Sequence, residues 1–98
     1  MSVIMRTQLP LNRQQIETLS NSLGVRQDPP PGMIVHLAYE EGGKLQVLDV
    51  WESREQFESF AQGRLAEAMG RFMAENGVQM DGEPSYEFTE VFDVVKGR

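Results

Sequence analysis

There is no cysteine anywhere in this chain. Disulfides, thiolate nucleophiles and cysteine-held metal or iron–sulfur centres are excluded at once. Positive charge is also scarce: 9 Lys and Arg stand against 15 Asp and Glu, a net charge of -6. Binding to nucleic acid draws on clustered Lys and Arg, and no such cluster occurs here. The same deficit argues against docking on an anionic membrane surface. No apolar run is long enough to span a bilayer, and "MSVIMRTQLP" lacks the basic-then-apolar pattern of a secretion leader. A cytoplasmic location is the expectation. Chemically versatile side chains are few, with 1 His, 1 Trp and 2 Tyr. One histidine among scattered acids is a poor set of transition-metal ligands, so neither metal nor other cofactor is expected.

What is present has the composition of a soluble globular domain, 40% hydrophobic and 24% charged over 98 residues. That length predicts one domain, residues 1–98, with a modest core of its own. "SVIMRTQL" is extended, with apolar residues on both faces. Asn12 followed by Gln15 has capping-box spacing, Leu11 can staple onto Ile16, and Ile16, Leu19 and Leu23 recur at helical period. Gly24 supplies the stop. "RQDPPPG" is predicted as a stiff, extended connection, because three prolines cannot join a ladder or a helix interior. "MIVHLAYEEGGKLQVLDVW" has the form of a hairpin turning at Gly42-Gly43.

Ser53 then caps a second helix, with Gln56 at the capping-box position. Phe57, Phe60, Ala61, Leu65, Ala68, Met69, Phe72 and Met73 form its apolar stripe, and Asn76-Gly77 ends it. Gly63 and Gly70 lie inside this run, so a bend or break is expected at one of them. Met69, Met73 and Met80 are read as gap-fillers of the core. A final strand is predicted over "SYEFTEVFDVV", with Tyr86, Phe88, Phe92 and Val94 on one face. The order strand, helix, strand, strand, helix, strand predicts an α+β fold. It is a ferredoxin-like βαββαβ sandwich, one four-stranded antiparallel sheet with both helices on one face.

A two-residue turn fixes the hairpin's parity. One face then holds Met33, Val35, Leu37, Leu48 and Val50; the other holds Ile34, His36, Ala38, Leu45, Val47, Asp49 and Trp51. Neither set looks solvated. At roughly 1.5–3 kcal/mol per buried side chain, leaving the second set in water would forgo on the order of 10 kcal/mol. Association costs a comparable ~4–15 kcal/mol. The expectation is a homodimer with two sheets packed face to face.

The same parity places His36 directly across from Asp49. In an apolar cavity such a pair can act as a general acid–base couple; at an interface the two can instead satisfy each other as a structural pair. Trp51, at the strand end, either plugs the core or stacks on a flat ligand. Tyr39, Arg64 and Tyr86 could give such a ligand polar contacts.

"VLDVWESREQFESF", preceded by "MIVHLAYEEGGKL", resembles the antibiotic-biosynthesis-monooxygenase-like branch of the dimeric α/β barrel proteins. The likeness runs from about Gly32 to Leu65. It rests on a polar strand end, Trp51, the cap at Ser53 and the aromatic Phe57. It implies a ferredoxin-like subunit in an obligate dimer forming a dimeric α/β barrel. Some members are cofactor-independent oxygenases of polyphenolic or anthrone-like substrates, and others degrade haem. The tryptophan matching Trp51 lies near the substrate cavity in oxygenase members. Their first-strand asparagine has no counterpart here, where Arg6 and Thr7 occupy the region. Two functions therefore stand side by side: an oxygenase or isomerase of a small aromatic molecule using His36 and Asp49, and a non-catalytic ligand-binding or accessory homodimer.

Overall fold

A computed structural model describes residues 1–77 and 84–97. Strand β1 (Ser2–Leu9) leads into helix α1 (Arg13–Leu23), then β2 (Met33–Glu41) and β3 (Lys44–Trp51). A long helical segment follows as α2 (Arg54–Phe60), a π-helical stretch over Ala61–Leu65, and α3 (Ala66–Asn76). Strand β4 is Glu87–Val91. The sheet order is β2-β3-β1-β4, with every neighbouring pair antiparallel. This is the predicted ferredoxin-like arrangement.

Local chemistry explains the element ends. The Asn12 side chain accepts from the Gln15 backbone N–H at 2.8 Å, and the Gln15 side chain accepts from the Asn12 N–H at 2.9 Å. Both arms of the capping box are thus made. At Ser53 the hydroxyl oxygen accepts from the Gln56 N–H, while the hydroxyl itself donates to Gln56 Oε1 at 3.0 Å. The reciprocal arm here ends on the serine hydroxyl instead of its backbone. Gly42 and Gly43 have φ of 61° and 76°. Positive φ at both centres is the type I′ geometry, whose twist matches a two-residue hairpin.

The anticipated break in the second helix falls at the π-helical stretch that contains Gly63. Helical geometry runs through Gly70 without interruption. The link after α1 is not extended throughout. Its start closes a turn, with the Asp28 N–H donating to the Gly24 carbonyl at 2.9 Å, because Gly24 adopts the left-handed conformation and reverses the chain. Strand β4 is shorter than predicted. Its last pair is Ser2 with Val91, at the residue where β1 itself starts. Phe92 and Val95 are consequently exposed, at 96% and 86%, and are not core residues. Met80 lies outside the described residues.

Two corrections concern the sheet faces. A bulge shifts the β2–β3 register: Met33 pairs with Trp51, Val35 pairs with Val50, and Ile34 is the extra residue. Met33 therefore moves to the helix side, where it packs on the Trp51 core. The second correction is which face is left bare. Leu45, Val47, Asp49 and Trp51 are buried under this chain's own helices. The uncovered face carries Val35 and Leu37, 39% and 49% exposed, beside half-buried Ile4, Leu48, Val50 and Val91. Parity sorts side chains into two sets but does not say which set the helices take. The right-handed crossover from β1 through α1 to the parallel β2 makes that choice.

The core on the helix side has two parts. Val3, Met5, Val47, Trp51, Phe57 and Phe60 pack under α2, and Leu11, Ile16, Leu19, Leu45, Ala68 and Phe72 pack between α1 and α3. Met69 and Met73 sit at the edge of the second part, as gap-fillers would. Among the described residues no helix is long and apolar enough to cross a membrane.

Candidate functional site

The pairing of position 36 with position 49 is found in the sheet. His36 Nδ1 lies 2.6 Å from Asp49 Oδ1. An ionised carboxylate accepts only, so opposite ionised Asp49 the Nδ1 atom carries a proton and His36 donates. The other oxygen, Oδ2, accepts from the Trp51 indole N–H at 3.1 Å. The three side chains form one line because β3 alternates, placing Asp49 and Trp51 on the same face two residues apart, with His36 opposite. Asp49 is 3% exposed and Trp51 fully buried. The His36 side chain retains 30% exposure, so it is the end of this line that meets solvent.

Two spaces meet at His36. One is an interior cavity of about 70 Å³, mostly apolar, between the sheet and the helices. Met5, Thr7, Val47, Phe57, Leu65 and Tyr86 are among its walls. The other is an open groove of about 470 Å³ along the outer edge of β2, walled on its far side by Arg13, Glu17 and Arg26. Ile16, Ser20, Val25, Met33 and His36 line both. A molecule lying in the groove can therefore present one edge to the cavity past the imidazole. No partner of His36 Nε2 occurs among the described residues. With Nδ1 committed to Asp49, Nε2 is the nitrogen available as a base.

The remaining candidates separate. Tyr86 lines the cavity and meets Phe57 edge to face, 5.0 Å between ring centres. Tyr39, 40% exposed, lines the groove on β2. Trp51 reaches neither space; it packs edge-on against Phe57 and tilted against Phe60, each at 5.5 Å, which leaves no face for a flat ligand. Arg64 is also away from the pair. It donates to the Leu23 carbonyl at 2.8 Å, lies 3.8 Å from Asp28 and faces the Phe60 ring at 5.8 Å. It straps the π-helical stretch to the end of α1.

Sequence reasoning missed Thr7. It is a buried polar residue on the cavity wall, its hydroxyl donating to the Ser85 carbonyl at 2.8 Å. The sign was available: a polar residue at an inward-facing position of an otherwise apolar strand. Arg6 points to the uncovered face and donates to the Thr89 hydroxyl at 3.2 Å.

No protein-family model matches the sequence, and no curated protein resembles it closely enough to match. Solved structures share the fold. A candidate antibiotic biosynthesis monooxygenase from Caulobacter crescentus CB15 superposes with a TM-score of 0.66 at 17% identity, covering 94% of this chain and 91% of that one. SnoaB, a cofactor-independent oxygenase from Streptomyces nogalater, gives 0.59 at 12% identity, over 95% and 93% of the two chains. A variant of MhuD with two manganese protoporphyrin IX molecules bound per active site gives 0.58 at 19% identity, over 99% and 100%. The resemblance drawn from the sequence thus extends to a fold shared with antibiotic-biosynthesis-monooxygenase-like proteins along nearly the whole chain.

Proposed function

We propose that this protein is a cofactor-independent monooxygenase of a small aromatic, polyketide-like molecule, working as a homodimer. The observation that carries the proposal is the 2.6 Å contact between His36 and the buried Asp49 at the junction of cavity and groove. Nε2 of His36 takes a proton from an acidic C–H or O–H of the substrate. Asp49 holds the imidazolium that results. The substrate anion passes its electrons to dioxygen; one oxygen atom bonds to carbon and the other leaves as water with the two hydrogens the substrate gives up. The substrate is its own reductant.

Size limits what can react. The interior space of about 70 Å³ is under half the ~150 Å³ that holds a benzene ring. The reacting edge enters the cavity and the body of the molecule lies in the groove, within reach of Tyr39. A whole porphyrin macrocycle does not fit that interior space, so no step is assigned to haem. The homodimer reading is supported by the uncovered sheet face, where Val35, Leu37, Leu48 and Val50 form an apolar strip that a second sheet would cover.

The test is oxygen uptake with anthrone- and phenol-type substrates, using ¹⁸O₂ and mass analysis of the product. Replacing His36 by Asn lowers turnover roughly 10²–10⁴-fold if Nε2 is the base. Unchanged turnover in that variant removes His36 from the mechanism. A second reading, ligand binding without turnover, is favoured by Arg6 and Thr7 standing where oxygenase relatives carry asparagine. Saturable binding of the same compounds with no oxygen uptake would establish it instead.

A further inference from the structure

We infer that Trp51 is the positioning residue of the His36–Asp49 pair: its indole N–H, bonded to Asp49 Oδ2, keeps the imidazole proton on Nδ1 and leaves Nε2 bare. This deepens the acid–base role given to His36 above and rests on it.

The position of Trp51 separates it from a ligand contact. It is fully buried and lines neither the cavity nor the groove. Phe57 and Phe60 grip its ring from two directions, so the direction of its N–H is set by packing. That N–H is spent on Asp49 at 3.1 Å, while the other carboxylate oxygen takes the His36 proton at 2.6 Å. Each oxygen of Asp49 has one donor, and among the described residues no buried side-chain polar atom lacks a partner.

The consequence is electrostatic. A carboxylate at 3% exposure needs donors to remain an anion. Without the indole N–H, the charge is relieved in one of two ways. Asp49 takes a proton and donates it to Nδ1, which moves the histidine's own proton to Nε2. Alternatively, His36 holds both ring protons as imidazolium. In either state Nε2 carries hydrogen and no longer serves as a base. Phenylalanine would fill the place between Phe57 and Phe60 but has no N–H, so the inference predicts a chemical defect separable from a packing defect.

The chain has one His and one Trp, so ¹⁵N NMR of the full-length protein shows one pair of imidazole nitrogen signals and one indole signal. In the native protein, with no ligand added, the His36 ring-nitrogen signals fix the reference share of protonated Nε2. In Trp51→Phe the fraction of His36 with a protonated Nε2 rises roughly tenfold, the weight of one charge-assisted hydrogen bond. Phe72→Leu, which loosens the core part between α1 and α3, lowers the melting temperature and leaves the His36 signals where they were. Where Trp51→Phe does not fold, His36→Leu answers the question from the other end: the Trp51 indole N–H resonance moves, because Asp49 no longer shares its charge. A bare Nε2 in folded Trp51→Phe, an equal change in Phe72→Leu, or an unmoved indole signal in His36→Leu overturns the inference. None of these uses a substrate. Absence of oxygen uptake alongside a responsive histidine defeats the oxygenase reading and leaves the role of Trp51 intact; uptake with an unresponsive histidine does the reverse.

Discussion

Adding a second substitution to a damaged chain should restore stability. Replacing His36 by Leu leaves Asp49 with one donor, the Trp51 indole, in a site where the carboxylate is 3% exposed. Taking one donor away from a buried carboxylate costs at least the ~1–3 kcal/mol of a neutral group left unsatisfied, and more for a charge. The His36 side chain is 30% exposed, so water reaches one edge of the gap and the expected loss is nearer 2–3 kcal/mol. In His36→Leu/Asp49→Leu the stranded charge is gone. The remaining defect is the unsatisfied indole N–H, worth about 1–2 kcal/mol, and the two leucines fill the space. The double variant is therefore more stable than His36→Leu alone, by about 1 kcal/mol. For 98 residues the unfolding entropy is about 0.2 kcal/mol per degree. His36→Leu should melt about 10–15 °C below the native protein, and the double variant about 5 °C above His36→Leu. Urea unfolding at a fixed protein concentration measures the same difference and keeps association constant between samples. If Asp49→Leu destabilises the His36→Leu background further, the carboxylate is not a buried charge held by two donors, and the account of the pair fails.

Two further outcomes test the frame around the site. Gly32 has φ of +89°, and a Cβ there would come within 2.5 Å of the Gln56 side chain. Gly32→Ala pushes that amide off the Ser53 hydroxyl and adds left-handed strain, for a loss of about 2–3 kcal/mol in urea unfolding; a neutral result would mean the loop relaxes freely. Leu37→Glu places a charge on the uncovered face, where the side chain is 49% exposed. If the proposed dimer forms through this face, the variant should halve the mass found by sedimentation at micromolar concentration while the circular dichroism spectrum stays native, and an unchanged mass would refute that contact.

The amino-acid sequence by itself determined much of this protein, wherever one short-range rule governed the outcome. Asn12 and Gln15 capped α1 because both groups lie within one turn of each other. Gly42-Gly43 imposed a two-residue turn, and that turn alone put His36 across from Asp49. Gly63 and Gly70 marked two places where the second helix could yield, and the π geometry falls at the first. Tertiary structure decided what depends on the whole sheet. Covering Val47 and Trp51 with helices, and baring Val35 and Leu37, followed from the handedness of a crossover, which no local pattern encodes. The bulge at Ile34 turned Met33 inward because the chain must pass Gly32, whose carbonyl accepts the Glu52 N–H at 2.8 Å. Burial of the indole between Phe57 and Phe60 turned Trp51 from a candidate ligand platform into a donor for Asp49. Arg64 was drawn to the Leu23 carbonyl, 41 residues away in sequence, by the packing of the π-helical stretch on α1. Residue type and spacing could name the chemical groups; only the packed chain could say which of them share a wall.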